Sequence, residues 1–116
     1  MADFTLNRTE DRSWQPHPQF AGVGISSLIS PRQDGLGLTC ALVSLPVGSR
    51  PERHVHVHAD DILYVLHGQA MMWIDGIGDL PLTAGTFLRI GRGVWHQPHA
   101  VEEDLLLHNI WCPALA

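Results

Sequence analysis

The sequence predicts an all-β fold, a small antiparallel β-barrel or jelly roll, and three observations carry that prediction. Eleven glycines and eight prolines punctuate the chain at short intervals. The stretches between them are rich in Val, Ile, Leu, Thr and Trp, which suit a pleated, half-buried surface. None of those stretches sustains the 3.6-residue period of an amphipathic helix. The chain has 116 residues, 45% of them hydrophobic and 16% charged, which is one globular domain's worth and enough to bury a core.

Taken in order, residues 1–20 (MADFTLNRTEDRSWQPHPQF) are polar and carry Pro16 and Pro18, so they read as an N-terminal arm that could cross to a neighbouring subunit. Residues 21–116 read as the single barrel domain. Strands are expected over 20–30, 36–45, 54–58, 62–67, 70–75, 80–82, 86–90 and 105–111. Turn chemistry supports the breaks: QDG at 33–35, HG at 67–68, DGIGD at 75–79 and TAG at 83–85. About eight short strands imply a closed or sandwiched antiparallel barrel. No internal repeat, low-complexity tract or linker interrupts them.

Composition excludes several function classes. The formal charge is −5, and every one of the seven basic residues is Arg, so Schiff-base and Walker-lysine chemistry are out. Those arginines are scattered at 8, 12, 32, 50, 53, 89 and 92 and build no stripe that nucleic acid would need. The longest mostly apolar stretch, TCALVSLPV, falls far short of the roughly 20 residues of a membrane helix, and the N-terminus lacks a signal peptide's apolar run. The expectation is a soluble, cytoplasmic protein with neither membrane nor nucleic-acid partners. Cys40 and Cys112 sit in apolar segments without CxxC spacing and read as buried small hydrophobes, not as a disulfide or zinc pair.

Histidine carries the chemical signal, with eight in the chain and five of them at 54–58 and 96–99. In GSRPERHVHVHADDILYVLHG (48–68) a strand would turn His54, His56 and His58 to one face and Val55 and Val57 to the other. Imidazoles at alternate positions make a poor apolar core unless their nitrogens find a partner, and a transition-metal ion reached at about 2.0–2.2 Å supplies one. In GTFLRIGRGVWHQPHA (85–100) a strand leads through Gly91 and Gly93 to His96, which a sharp turn could aim across a barrel at the first group. Taken singly, each histidine reads as a surface residue beside Asp60 and Asp61. Their spacing as a group favours a metal site.

At these two segments the chain resembles the cupin family. The pattern G(x5)HxH(x3,4)E(x6)G falls on Gly48, His54, His56, Asp61 and Gly68, with Asp in place of Glu. The pattern G(x5)PxG(x2)H(x3)N falls on Gly85, Gly93 and His96, with Gly91 in place of the proline and Ala100 in place of the asparagine. The resemblance implies a double-stranded β-helix holding one divalent transition metal per chain on His54, His56, Asp61 and His96. Asp61 is one methylene shorter than Glu, so His58 stands as its substitute in a four-imidazole site, and an open three-His site is a further variant. Ligand chemistry allows Fe, Mn, Ni, Co, Cu or Zn. His108 alternates with Leu106 and Ile110 and could face into the barrel, whereas His17 and His67 read as an arm and a turn residue.

A site with open positions points to catalysis on a small oxygenated organic substrate chelated through adjacent oxygens, with dioxygenase-like cleavage ahead of isomerisation or elimination on a sugar acid or related compound. Asp60 or Asp61, if not a ligand, is the expected proton acceptor. Met71, Trp73, Phe87, Leu63 and Val65 are the expected apolar surroundings, and Arg50, Arg53 and Arg89 the residues able to orient an anion. A non-catalytic small-molecule or sugar binder is the alternative class. Exposed sheet edges and the resemblance both imply a homodimer.

Overall fold

A computed structural model describes residues 2–115. Seven strands follow one another: β1 (Gln15–Pro16), β2 (Gly24–Ile29), β3 (Thr39–Leu45), β4 (Asp60–Ile74), β5 (Gly78–Thr83), β6 (Phe87–Ile90) and β7 (His96–Cys112). All pairings are antiparallel, in the order β1-β2-β3-β7-β4-β5 with β6 also on β4. The all-β expectation holds. Among the described residues, helix is confined to a short 3-10 turn, Thr9–Asp11, and to α1 (Pro31–Asp34), which Ser30 caps at its start and Gly35 ends in the left-handed conformation. That glycine belongs to the QDG segment expected to turn.

The boundaries differ from the sequence expectation in two ways that matter. The expected strands 62–67 and 70–75 are one strand, β4, because HG at 67–68 bends the chain without reversing it. The expected strand 105–111 is the C-terminal half of β7, which begins at His96. The two long strands pair along both halves, with register shifts between Val65 and Met71. Each shift changes which residues face inward. In β4 the buried set runs Asp61, Leu63, Val65 and then Ala70, Met72, Ile74.

Gly68 is the hinge of this bend. Its φ is +102°, and a Cβ there would stand 2.3 Å from the Asp104 carbonyl oxygen and 2.7 Å from the Leu105 Cα. Only glycine lets β4 cross β7 so closely. Around the bend, Leu45, Leu63, Val65, Leu82 and Leu105 pack as the most buried apolar side chains.

The N-terminal arm folds back on its own barrel. β1 pairs with β2 through Gln15 with Ile25 and Pro16 with Gly24, and the Asn7 amide donates to the Leu28 carbonyl. Cys40 is buried as expected, but Cys112 is exposed, because it ends β7 where the strand leaves the core.

Gly68→Ala should therefore destabilise the fold by about 2–4 kcal/mol, combining backbone strain with overpacking. Gly76→Ala should cost only about 1 kcal/mol, since Gly76 has φ +80° but open space around its Cα. Thermal denaturation of the two variants measures the difference, and equal losses would contradict the close-approach argument.

Candidate metal centre

The segment that carries the first histidines is not a strand. Only His54 makes a β-bridge, to His96, through His54 N–H to the His96 carbonyl (3.0 Å) and His96 N–H to the His54 carbonyl (2.9 Å). The Gln97 side chain donates to the Pro51 carbonyl (2.8 Å), and the Gly93 N–H to the His56 carbonyl (2.9 Å). The 51–56 segment is thus laced to the start of β7. Strict alternation does not hold beyond it, so His58 is exposed and stands apart from the other histidines.

What converges is His54, His56, Asp61 and His96, which offer four ligand atoms all within 4.8 Å of one another. Asp61 Oδ2 lies 3.4 Å from His96 Nε2 and 3.6 Å from His56 Nε2. The shorter acid reaches this group because Asp61 is buried on the inner face of β4. His54 Nδ1–H donates to the Glu52 carbonyl (3.0 Å) and His96 Nδ1–H to the Val94 carbonyl (2.9 Å). Since a carbonyl only accepts, both rings hold their proton on Nδ1 and turn a bare Nε2 lone pair inward. His96 Nε2 is buried without a hydrogen-bond partner among the described residues. Burial, reinforced by the His96 and His56 rings and opposed by the Glu52 carbonyl and Asp61, lowers the His54 pKa to about 4. Burial first, then His96, lowers that of His56, while Asp61 raises it. Neutral imidazoles, a carboxylate and an orphaned inward lone pair are a donor set that fits a divalent transition metal.

Sequence reasoning missed Asn109. Its Nδ2 donates to Asp61 Oδ1 (2.9 Å) and so fixes the carboxylate. In β7 the inward residues are Leu105, Leu107, Asn109 and Trp111. The alternate set, Leu106, His108 and Ile110, faces outward, so His108 does not look into the barrel and instead meets the Cys40 sulfur at 2.9 Å. The run DLLLHNIW is equally apolar in both phases, and no signal within it selects the inner one.

Asp60, expected as a proton acceptor, points the other way from Asp61. It accepts from Arg89 Nη1 (3.2 Å), the Arg92 backbone N–H (3.1 Å) and Arg92 Nε (3.2 Å). Those bonds, the Arg92 backbone N–H foremost, hold its pKa below the ordinary value. Asp60 serves the outer surface.

The four residues line a cavity of about 480 Å³. Its walls are mainly apolar, among them Val43, Leu63, Met72, Leu107 and Trp111, and among the described residues no arginine lines it. Met71 and Phe87, expected nearby, are exposed on the outside, and Arg53 stacks on Trp73 with its guanidinium carbon 3.9 Å from the ring centroid. Residues 17–20 of the arm line it as well. His17, which the sequence left as an arm residue, stacks on Phe20 (4.6 Å between centroids), and Phe20 in turn lies 5.0 Å from the His54 ring.

A family model described as "Cupin domain" matches residues 41–111, which takes in both histidine segments and most of the strands. The chain belongs to the cupin family. No curated protein matches this cupin significantly. Among solved structures, it is similar to a predicted oxalate decarboxylase from Thermotoga maritima, with TM-score 0.81, 22% identity, 93% of this chain and 98% of that one covered. It is also similar to KdgF from Halomonas sp., with TM-score 0.76, 21% identity and coverage of 95% and 94%. The polyketide cyclase RemF from Streptomyces resistomycificus gives TM-score 0.80 at 16% identity, covering 94% and 79%. At such identities these cupins share the fold.

Asn109→Ala should weaken metal retention by about 10-fold or more, because an acid freed from its hydrogen bond loses its aim. His58→Ala should leave retention unchanged. Competition with a chromophoric chelator reads both, and the reverse ranking would move the fourth position from Asp61 to His58.

Proposed function

We propose that this cupin is a metal-dependent enzyme acting on a small oxygenated organic substrate that offers adjacent oxygens, with dioxygenase-like cleavage as the first reading. The observation that carries it is the meeting of His54, His56, Asp61 and His96 in the wall of a mainly apolar cavity, with the His96 Nε2 lone pair buried and without a hydrogen-bond partner among the described residues. A divalent transition metal on these four residues would supply Lewis-acid stabilisation of charge developing on substrate oxygens. The chain's own part is to hold that donor set. Asn109 fixes Asp61, the Glu52 and Val94 carbonyls set the tautomers of His54 and His96, and Phe20 lies 5.0 Å from the His54 ring as an apolar neighbour.

The lining also bears on substrate class. A sugar acid calls for a cationic partner, and among the described residues no arginine lines the cavity. An apolar or aromatic diketone, enol or polyphenol suits these walls better.

His17 favours a second reading, isomerisation or cyclisation, in line with the polyketide cyclase among the structural relatives. Its Nδ1 accepts from the backbone N–H groups of Gln19 (3.1 Å) and Phe20 (3.3 Å), which leaves the ring proton on Nε2. Burial, and then His56, lowers its pKa. Such a neutral imidazole at the mouth can pass a proton to or from a substrate oxygen.

Protein purified without added metal should hold one transition-metal ion per chain, and His56→Ala should lose it. Elemental analysis checks both, and full occupancy in His56→Ala would overturn the assignment. With diketones and catechol-like compounds, oxygen uptake that matches turnover supports cleavage. Turnover without oxygen uptake supports the second reading, and tight binding without turnover supports a binding module.

The partner we propose is a second copy. Tyr64, Leu66 and Phe87 stand exposed on the outer sheet face, where Tyr64 is the register partner of Phe87 on one side and His108 on the other. A self-complementary apolar face of this kind suits a two-fold dimer. Light scattering should find a dimer, and Leu66→Glu should yield monomers. A wild-type monomer would overturn this proposal.

A further inference from the structure

Three buried side-chain polar atoms lack a hydrogen-bond partner among the described residues: His96 Nε2, Asn109 Oδ1 and Trp111 Nε1. The metal centre accounts for the first. The other two stand side by side, at alternate positions on the inner face of β7, and both residues line the cavity. Asn109 is 4% exposed and Trp111 6%. Buried polar groups are nearly always satisfied, so two orphans on one wall mark a place built for a polar ligand group.

Their chemistry restricts what that group is. Asp61 only accepts hydrogen bonds, so Asn109 must turn its Nδ2 toward the acid, which leaves Oδ1 as the unused acceptor of a residue that lines the cavity. Trp111 Nε1–H only donates. A ligand that satisfies both must accept from Trp111 and donate to Asn109. A carboxylate or ketone cannot donate, and an ammonium cannot accept. A hydroxyl does both, and it does so without a charge that the apolar walls would penalise.

We infer that Asn109 and Trp111 form a recognition subsite for a hydroxyl group of the substrate, so that the ligand of this cavity is a phenol, an enol or an alcohol on an apolar skeleton. The inference rests on the cavity's being the substrate site. It narrows the oxygenated substrate proposed above to one that carries a hydrogen-bond-donating oxygen. Asn109 thereby acts on two sides at once, orienting Asp61 through its nitrogen and the ligand through its oxygen.

Phenol and toluene are the probes, alike in shape and differing by a hydroxyl in place of a methyl. Zinc-loaded protein, labelled with 15N, is titrated with each while the four tryptophan indole N–H resonances are followed, and its metal content is measured on the same sample. Trp111→Phe assigns the Trp111 resonance. Phenol should bind about 10-fold or more tighter than toluene and shift the Trp111 N–H signal, as expected for a site that pairs a hydroxyl. In Trp111→Phe the preference for phenol should fall by about fivefold or more. An equal affinity for the two probes, or a phenol preference with an unmoved indole signal and no loss in the variant, would overturn the inference. If Trp111→Phe fails to fold, the wild-type affinity ratio and the indole resonance followed through the titration still decide. A protein that takes up no zinc yet prefers phenol in this way retains the subsite while the metal-enzyme reading fails. A zinc-loaded protein without the preference does the reverse.

Discussion

The pairing of β4 with β7 along both of their halves is the constraint from which the rest follows. β7 has 17 residues and would reach about 56 Å if extended. His96 at its start and Trp111 near its end nevertheless line one cavity. The strand must therefore curl round the core, and β4 must curl with it. The backbone of Gly68 lying against Asp104 and Leu105 is where that curvature is taken up. Asp61 from one half of the pair and His96 from the other meet because the β4–β7 ribbon folds over on itself.

The register shifts that accompany the bend decide the chemistry of each face. Adjacent residues of a strand point to opposite sides, and Asp60 and Asp61 show what that separation does to two identical side chains. Asp60 takes arginine partners outside, whereas Asp61 lies among imidazoles and an amide inside. A slip by one residue would put the surface ion pair into the core and leave the histidines without their acid.

Much of this was legible in the sequence. Glycine and proline spacing gave the fold class, and the order of His54, His56, Asp61, Gly68 and His96 matched a family pattern whose members now prove to include this chain. Gly68 belongs to that pattern, and the close approach of β4 to Asp104 and Leu105 is its physical reason. What could not be read was phase and reach. Nothing in DLLLHNIW distinguishes the inward face from the outward one, so Asn109 and Trp111 were passed over for His108. Nor does local sequence say that 54–58 is tied down by Gln97 and Gly93 instead of forming a strand, which is why His58 counted as a ligand candidate. Ala100 is a small case of the same kind. It holds φ +50° where the family pattern has Asn, a residue that tolerates that conformation better.

The arm is held against the barrel by the two residue pairs of β1 with β2, by the His17 N–H to the Val23 carbonyl at 2.8 Å, by side-chain bonds from Thr5 to Asp34 and from Asn7 to the Leu28 carbonyl, and by Phe20 packed against the core. Residues 17–20 nevertheless belong to the arm and not to the strands that carry the four donors. Changes in this segment would therefore reshape one wall of the cavity while His54, His56, Asp61 and His96 stay in place.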